Sequence, residues 1–137
     1  MKIVIDTYAW IEIFIGSKMG EKAKGILQKS EEIYTPDIVI AEIARKYLRE
    51  GVNEKVILER LTTIEETSEI IPIDKNIALE SAKCYIELME KAKARKIKAP
   101  SLFDAIVLAT ARTLNAKLIT GDEHFEGIKE ILWIGKT

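Results

Sequence analysis

One cysteine, one histidine, three prolines and a net charge of only −1 are the scarcities of this 137-residue chain, and each closes off a class of function. Cys84 alone cannot form an internal disulfide, and no second Cys or His stands near it at ligand spacing, so neither a disulfide scaffold nor a Cys/His metal centre can be built. A lone thiol in a helical stretch reads as a packing residue in a reducing compartment. No Ser-His-Asp or Cys-His set for nucleophilic catalysis competes, and the single His124 has no second His beside it. It reads as a surface or packing side chain, with contact to a substrate as the alternative. A net charge of −1 supplies no global field for nucleic acid, so such a partner needs a local basic patch. No glycine-rich phosphate loop and no GxGxxG follows any strand-like run, which sets nucleotide-binding folds aside.

Long apolar runs are missing as well. The N-terminal stretch from Ile3 to Ile15 is the richest, but Asp6 and Glu12 interrupt it and no small-residue cleavage site follows, so it does not read as a signal peptide. No stretch reaches transmembrane length. A cytoplasmic protein without membrane attachment is therefore expected. The apolar fraction of 47% and charged fraction of 31% suit a folded chain, and the length suits one domain, residues 1–137, around one core.

What is present is a set of β-branched runs separated by amphipathic helices. Ile3-Val4-Ile5 is uniformly apolar, as a strand covered on both faces in a parallel sheet must be. Further strand-like runs are Ile33-Tyr34-Thr35, Ile70-Ile71-Pro72-Ile73, Lys117-Leu118-Ile119-Thr120 and Ile131-Leu132-Trp133-Ile134. Helices are predicted over 8–14, 21–29 and 37–50, then from an Asn53 cap to 67. A long helix follows the Asp74 cap, with Ile77, Ala78, Ala82, Tyr85, Ile86 and Met89 as its apolar stripe. Ser101 opens another, apolar almost all round from Leu102 to Ala111 and hence central, and Phe125 starts a short helical piece. Strands alternating with helices predict an α/β fold: three layers, α/β/α, with a mostly parallel sheet of four to five short strands and right-handed crossovers. Sites in such sheets form beyond the carboxyl ends of the strands.

That rule draws attention to the acids, where aspartate is scarce: five, against seventeen glutamates. All five aspartates sit at element boundaries, so helix capping can account for each. Asp6 and Asp122 stand just past predicted strand ends, which brings their carboxylates to one sheet edge; capping and a shared site both remain open. Asp104 lies three residues after Ser101, the spacing of a capping box, yet a carboxylate opening a buried apolar helix is costly unless a cation or several donors offset it. Glu42 shares a helical face with Arg45, Lys46 and Arg49, opposite Ile40, Ile43 and Tyr47. That pattern favours a solvated face with a Glu42–Lys46 pair. Clustered carboxylates repel, and one or more would stay protonated unless a cation neutralised them. Mg²⁺ or Mn²⁺ takes oxygen ligands, keeps water in its shell, and can deliver hydroxide to a phosphodiester while stabilising the transition state.

Ile3-Val4-Ile5-Asp6-Thr7-Tyr8-Ala9-Trp10, Ile40-Ala41-Glu42-Ile43, Ser101-Leu102-Phe103-Asp104-Ala105 and Leu118-Ile119-Thr120-Gly121-Asp122, in that order across the chain, resemble the motifs of PIN domains. The likeness is to the small stand-alone kind, the VapC-type toxins of toxin–antitoxin pairs. The resemblance implies a metal-dependent endoribonuclease in which Asp6, Glu42 and Asp104 hold Mg²⁺ or Mn²⁺ and Asp122 completes the set. Thr7 and Thr120 match hydroxyl positions that orient a carboxylate or a metal-bound water, and Glu123 is a substitute or helper. Arg45, Lys46 and Arg49, with Lys93, Arg95, Lys96 and Lys98, become candidates for RNA phosphate contact, against the plainer reading of solvated faces. A homodimer and an antitoxin that covers the site are the implied protein contacts, with Tyr8, Trp10, Ile13 and Phe14 as apolar residues near the entrance that could serve either, core packing being the default for most of them. Two other readings compete: a housekeeping RNA-processing nuclease of the same family, and a non-catalytic binding module whose acids are only caps.

Overall fold

Ile3, Val4 and Ile5 face alternate sides of a strand, yet all three are fully buried, so the strand is covered on both sides. The computed structural model of the chain describes residues 1–136. Its strands are β1 (Lys2–Ile5), β2 (Glu32–Pro36), β3 (Glu69–Ile71), β4 (Lys117–Thr120) and β5 (Ile131–Trp133). They form one five-stranded sheet in the order β3-β2-β1-β4-β5, every pairing parallel.

The helices are α1 (Thr7–Ile15), α2 (Lys18–Gln28), α3 (Asp37–Arg49), α4 (Glu54–Thr67), α5 (Lys75–Arg95) and α6 (Leu102–Thr113), with one 3₁₀ turn at Glu123–Phe125. The chain moves outward from β1 to β3, then returns across the sheet to β4. Right-handed crossovers therefore put α1–α4 on one face and α5–α6 on the other. The packing agrees: α1 lies against α2 and α3, and α3 against α4. On the other side α5 runs along α6, which crosses β1, β2 and β4. The reversal falls between β1 and β4, so the crevice for a site lies at their carboxyl ends. Among the described residues no helix is long and apolar enough to cross a membrane.

Local chemistry explains where elements begin and end. Ser17 caps α2 by accepting from the Gly20 amide at 3.0 Å, which starts that helix at Lys18, before the expected 21. β3 stops at Ile71, because Pro72 brings no amide to a sheet ladder and Asp74 already caps α5 by accepting from the Ile77 amide. α6 is central as expected, with every residue from Ala105 to Ala111 buried.

The face of α5 differs from its expected stripe. Ile77, Ser81, Cys84, Leu88 and Ala92 are buried, whereas Ile86 is 61% exposed and Ala78 and Ala82 are exposed. Small side chains let α5 approach α6, and a polar seam holds the two together. Ser81 satisfies its own hydroxyl within α5 by donating to the Ile77 carbonyl at 2.7 Å; across the seam Arg112 of α6 grips Glu87 at 2.9 and 3.0 Å, and it also reaches Glu130 ahead of β5 at 3.3 Å. Cys84 is buried in this seam as the expected packing thiol, and burial pushes its pKa up.

Gly20 marks a close approach of α2 to α1. A Cβ there would lie 2.1 Å from the Glu12 carbonyl oxygen of α1, so Gly20→Ala must push α2 off α1 at a cost of about 1–3 kcal/mol. Gly25→Ala, with nothing within 4 Å of its Cβ, should be neutral or stabilising by about 0.5–1 kcal/mol through helix propensity. Urea denaturation of the two variants checks the contrast.

Candidate active site

Because Ile5 of β1 is in register with Ile119 of β4, Asp6 and Thr120 leave the sheet side by side, and Asp122 follows two residues later. Asp6 is 5% exposed and caps α1 by accepting from the Ala9 amide at 2.8 Å. Asp122 caps the 3₁₀ turn, accepting from the His124 amide at 2.9 Å. Capping and a shared position thus coexist: the bonds that place each carboxylate are cap bonds. The same holds for Asp104, which completes a full capping box. Its Oδ2 accepts from the Ser101 amide at 2.9 Å, and its amide donates to Ser101 Oγ at 3.1 Å.

Glu42, on the second turn of α3, is half-buried rather than solvated. Thr7, at the start of α1, donates a hydrogen bond to its Oε1. Lys46 does not pair with it as the helical wheel suggested; it pairs with Glu50 at 3.0 Å. The cause is tertiary: α1 packs against α3 and supplies a neutral hydroxyl that holds the carboxylate toward the sheet edge.

All four acids line one cavity of about 250 Å³ together with Thr7, Tyr8, Arg45, Lys46, Arg49, Val107 and Phe125. Ligand atoms of Asp104, Asp122 and His124 lie within 4.8 Å of one another; Asp6 and Glu42 line the cavity without joining that tight group. Burial pushes the Asp6 carboxyl up to about 7, against hydrogen bonds from Thr120 and the Ala9 amide, with Asp122 and Asp104 adding repulsion. Glu42 and Asp104 are likewise raised, chiefly by burial. Thr120, fully buried, serves both strand-end acids: its hydroxyl holds the Asp6 pKa down against burial and accepts from the Asp122 amide at 3.0 Å.

His124, expected as a surface or packing residue, packs inside the acidic cluster. Its side chain is 14% exposed, and Nδ1 lies 2.8 Å from Asp122 Oδ1 and 3.9 Å from Asp104 Oδ2. Nε2 meets the Lys98 carbonyl at 2.8 Å. Burial alone would lower its pKa, but the Lys98 carbonyl and the Asp122 carboxylate outweigh that and raise it. Read in isolation it had no partner; the two-residue spacing from Asp122 within a tight turn was the signal that could have found it.

Other expected residues fall outside the cavity. Lys93, Lys96 and Lys98 are exposed and not among its lining. Arg95 turns to the Glu123 carbonyl at 2.7 Å and to Glu126 at 3.3 Å, and Glu123 itself is exposed. Trp10 is no entrance residue: it is 2% exposed and donates to Thr35 Oγ1 at 3.1 Å. Tyr8 does line the cavity, its hydroxyl 3.0 Å from Met19 Sδ.

Comparison with known proteins places this geometry among relatives. The family model for the PIN domain matches residues 3–131. Ribonuclease VapC3 of Pyrobaculum aerophilum is 27% identical over 128 residues, covering 90% of this chain and 92% of that protein. The fold is shared with VapBC2 of Rickettsia felis, crystallised with a promoter DNA fragment: TM-score 0.73, 19% identity, 97% of each chain covered. It is shared also with a toxin–antitoxin complex from Klebsiella pneumoniae: TM-score 0.69, 24% identity, 99% and 100% covered.

Proposed function

This chain belongs to the PIN domain family, and from that premise we propose that it is a Mg²⁺- or Mn²⁺-dependent endoribonuclease acting as the toxin of a VapBC-type pair. The observation that carries the reading is the cavity itself. Four carboxylates line it, three of them with pKa values raised by burial, and two of those further raised by their acidic neighbours Asp104 and Asp122. Such a set is stable as anions only when a cation offsets the desolvation and repulsion. The donors are oxygens alone apart from His124, the chemistry of a hard divalent ion.

Asp6, Glu42, Asp104 and Asp122 would hold that ion. Bound there, it supplies Lewis-acid stabilisation of the phosphodiester and lowers the pKa of an attacking water. The chain's own groups do the rest. Thr7 aims Glu42, and Thr120 holds Asp6 and the amide of Asp122. Arg45, Lys46 and Arg49, which follow Glu42 along α3 and line the same cavity, engage RNA phosphates, while Lys96 and Lys98 extend a basic surface outside it.

The antitoxin proposal draws on the VapBC relatives and on a groove of about 290 Å³ between α3 and α4, lined by Ala44, Leu48, Ile57, Leu58 and Leu61. Leu48 is 60% and Leu58 63% exposed, an apolar surface that suits a partner helix. The exposed Leu79 and Ile86 of α5 offer a face for a homodimer, and the site of action is the cytoplasm. A housekeeping RNA-processing role is the second reading of the same chemistry.

Incubation with total RNA should give discrete cleavage products in Mg²⁺ or Mn²⁺ and none after chelation, with activity restored by excess metal. Metal-independent cleavage, or no cleavage in any metal, overturns the enzyme. Growth arrest on expression, relieved by the product of an adjoining small gene, separates toxin from processing nuclease.

A further inference from the structure

The four acids are not anchored alike. Asp6 is held by the Ala9 amide, Asp104 by a capping box, and Glu42 by Thr7. Asp122 sits on a turn, and both bonds to its Oδ1 come from one residue: the His124 amide at 2.9 Å and the His124 ring Nδ1 at 2.8 Å. The ring's other nitrogen reaches the Lys98 carbonyl at 2.8 Å, on the connection between α5 and α6.

We infer that His124 is a positioning residue that orients the Asp122 carboxylate for a divalent cation by tying it to the chain leading into α6. The inference rests on the proposed reading of Asp122 as a ligand. Through the ring, the turn after β4 is tied to the segment that starts the helix bearing Asp104, so the two carboxylates closest to the ring are set relative to each other. Both bonds fall on Oδ1, so Oδ2 of Asp122, a residue that lines the cavity, takes no part in them. The ring is not needed to hold the turn's backbone, because Arg95 donates to the Glu123 carbonyl at 2.7 Å and Phe125 is 1% exposed in the core. Removing the imidazole therefore takes away one of the two bonds on Oδ1 and the tie to Lys98, and leaves the backbone-amide bond and the turn in place. Groups that brace metal ligands in this way change metal affinity by about 10–100-fold when removed.

Two isosteres divide the ring's bonds. In His124→Asn the side-chain amide nitrogen stands where Nδ1 stood and keeps the bond to Asp122. In His124→Gln it reaches toward the Lys98 carbonyl and abandons Asp122. The experiment is calorimetric titration of the metal-free full chain with Mn²⁺, for wild type, His124→Ala, His124→Asn, His124→Gln and Asp6→Asn, with RNA cleavage followed against Mn²⁺ concentration. His124→Ala and His124→Gln should bind Mn²⁺ at least tenfold more weakly, His124→Asn should recover most of the affinity, and cleavage by His124→Ala should approach the wild-type rate at saturating Mn²⁺. Wild-type affinity in His124→Ala, or equal losses in the Asn and Gln variants, overturns the inference; if the Ala variant does not fold, the Asn and Gln pair decides. Should Asp6→Asn bind Mn²⁺ as wild type does, the metal reading of the cavity fails instead.

Discussion

Asp104→Asn should abolish RNA cleavage while leaving the fold intact. Asparagine can still accept the Ser101 amide that Asp104 accepts at 2.9 Å, and its own backbone amide still donates to Ser101 Oγ, so the cap of α6 survives. What disappears is a negative charge in a cavity shared with Asp6, Glu42 and Asp122. If that charge holds a divalent ion, several kcal/mol of transition-state stabilisation go with it, a fall in rate on the order of 10³-fold. Initial rates of cleavage in Mg²⁺ and Mn²⁺, beside circular dichroism and a thermal melt, measure both halves of the expectation. A rate within tenfold of wild type would remove Asp104 from the chemistry. Glu65→Gln, an equally conservative loss of one carboxylate on the exposed face of α4 and outside the cavity, should change the rate little and serves as the matched control.

How far this site was legible differs residue by residue. Asp6 and Asp122 could be anticipated from strand-end geometry, since a parallel pairing of β1 with β4 leaves little choice about where their side chains emerge. Glu42 could not. A helical wheel sorts residues by one helix's own periodicity, and nothing in α3 announces that Thr7 of α1 will stand beside it and donate; only the family resemblance singled it out. His124 was missed for a related reason, since its partners are a carboxylate in a turn and a main-chain carbonyl 26 residues earlier, and main-chain acceptors leave no trace in residue identity. The α5 stripe failed differently. Hydropathy ranks Ala82 and Ile86 above Ser81, but close approach to α6 rewards small size, and Arg112 with Glu87 and Glu130 makes the seam polar. The sheet was the easiest part, because buried parallel strands require unbroken β-branched runs and few other structures tolerate them.

Asp6→Asn should destroy activity and at the same time stabilise the metal-free protein at neutral pH. Burial raises the Asp6 carboxyl from 3.8 to about 7, so between those values the native state binds a proton that the unfolded chain has released. Stability of the metal-free wild type must then fall as pH rises through that window, and the whole penalty is present above it. A shift of roughly three units corresponds to at most about 4 kcal/mol. Glu42 and Asp104, raised in the same direction, add slope of the same sign. Asparagine removes the largest part without losing the Ala9 cap. Chelated Asp6→Asn should therefore melt several degrees above chelated wild type at pH 7.5 and converge with it near pH 4, where the wild-type carboxyl is protonated in the native state. Adding Mn²⁺ should raise the wild-type melt by mass action and leave the variant nearly unmoved, reversing their order. Equal pH profiles for the two proteins would mean that Asp6 carries no desolvation strain, and the physical case for a cation in this cavity would lose its main support.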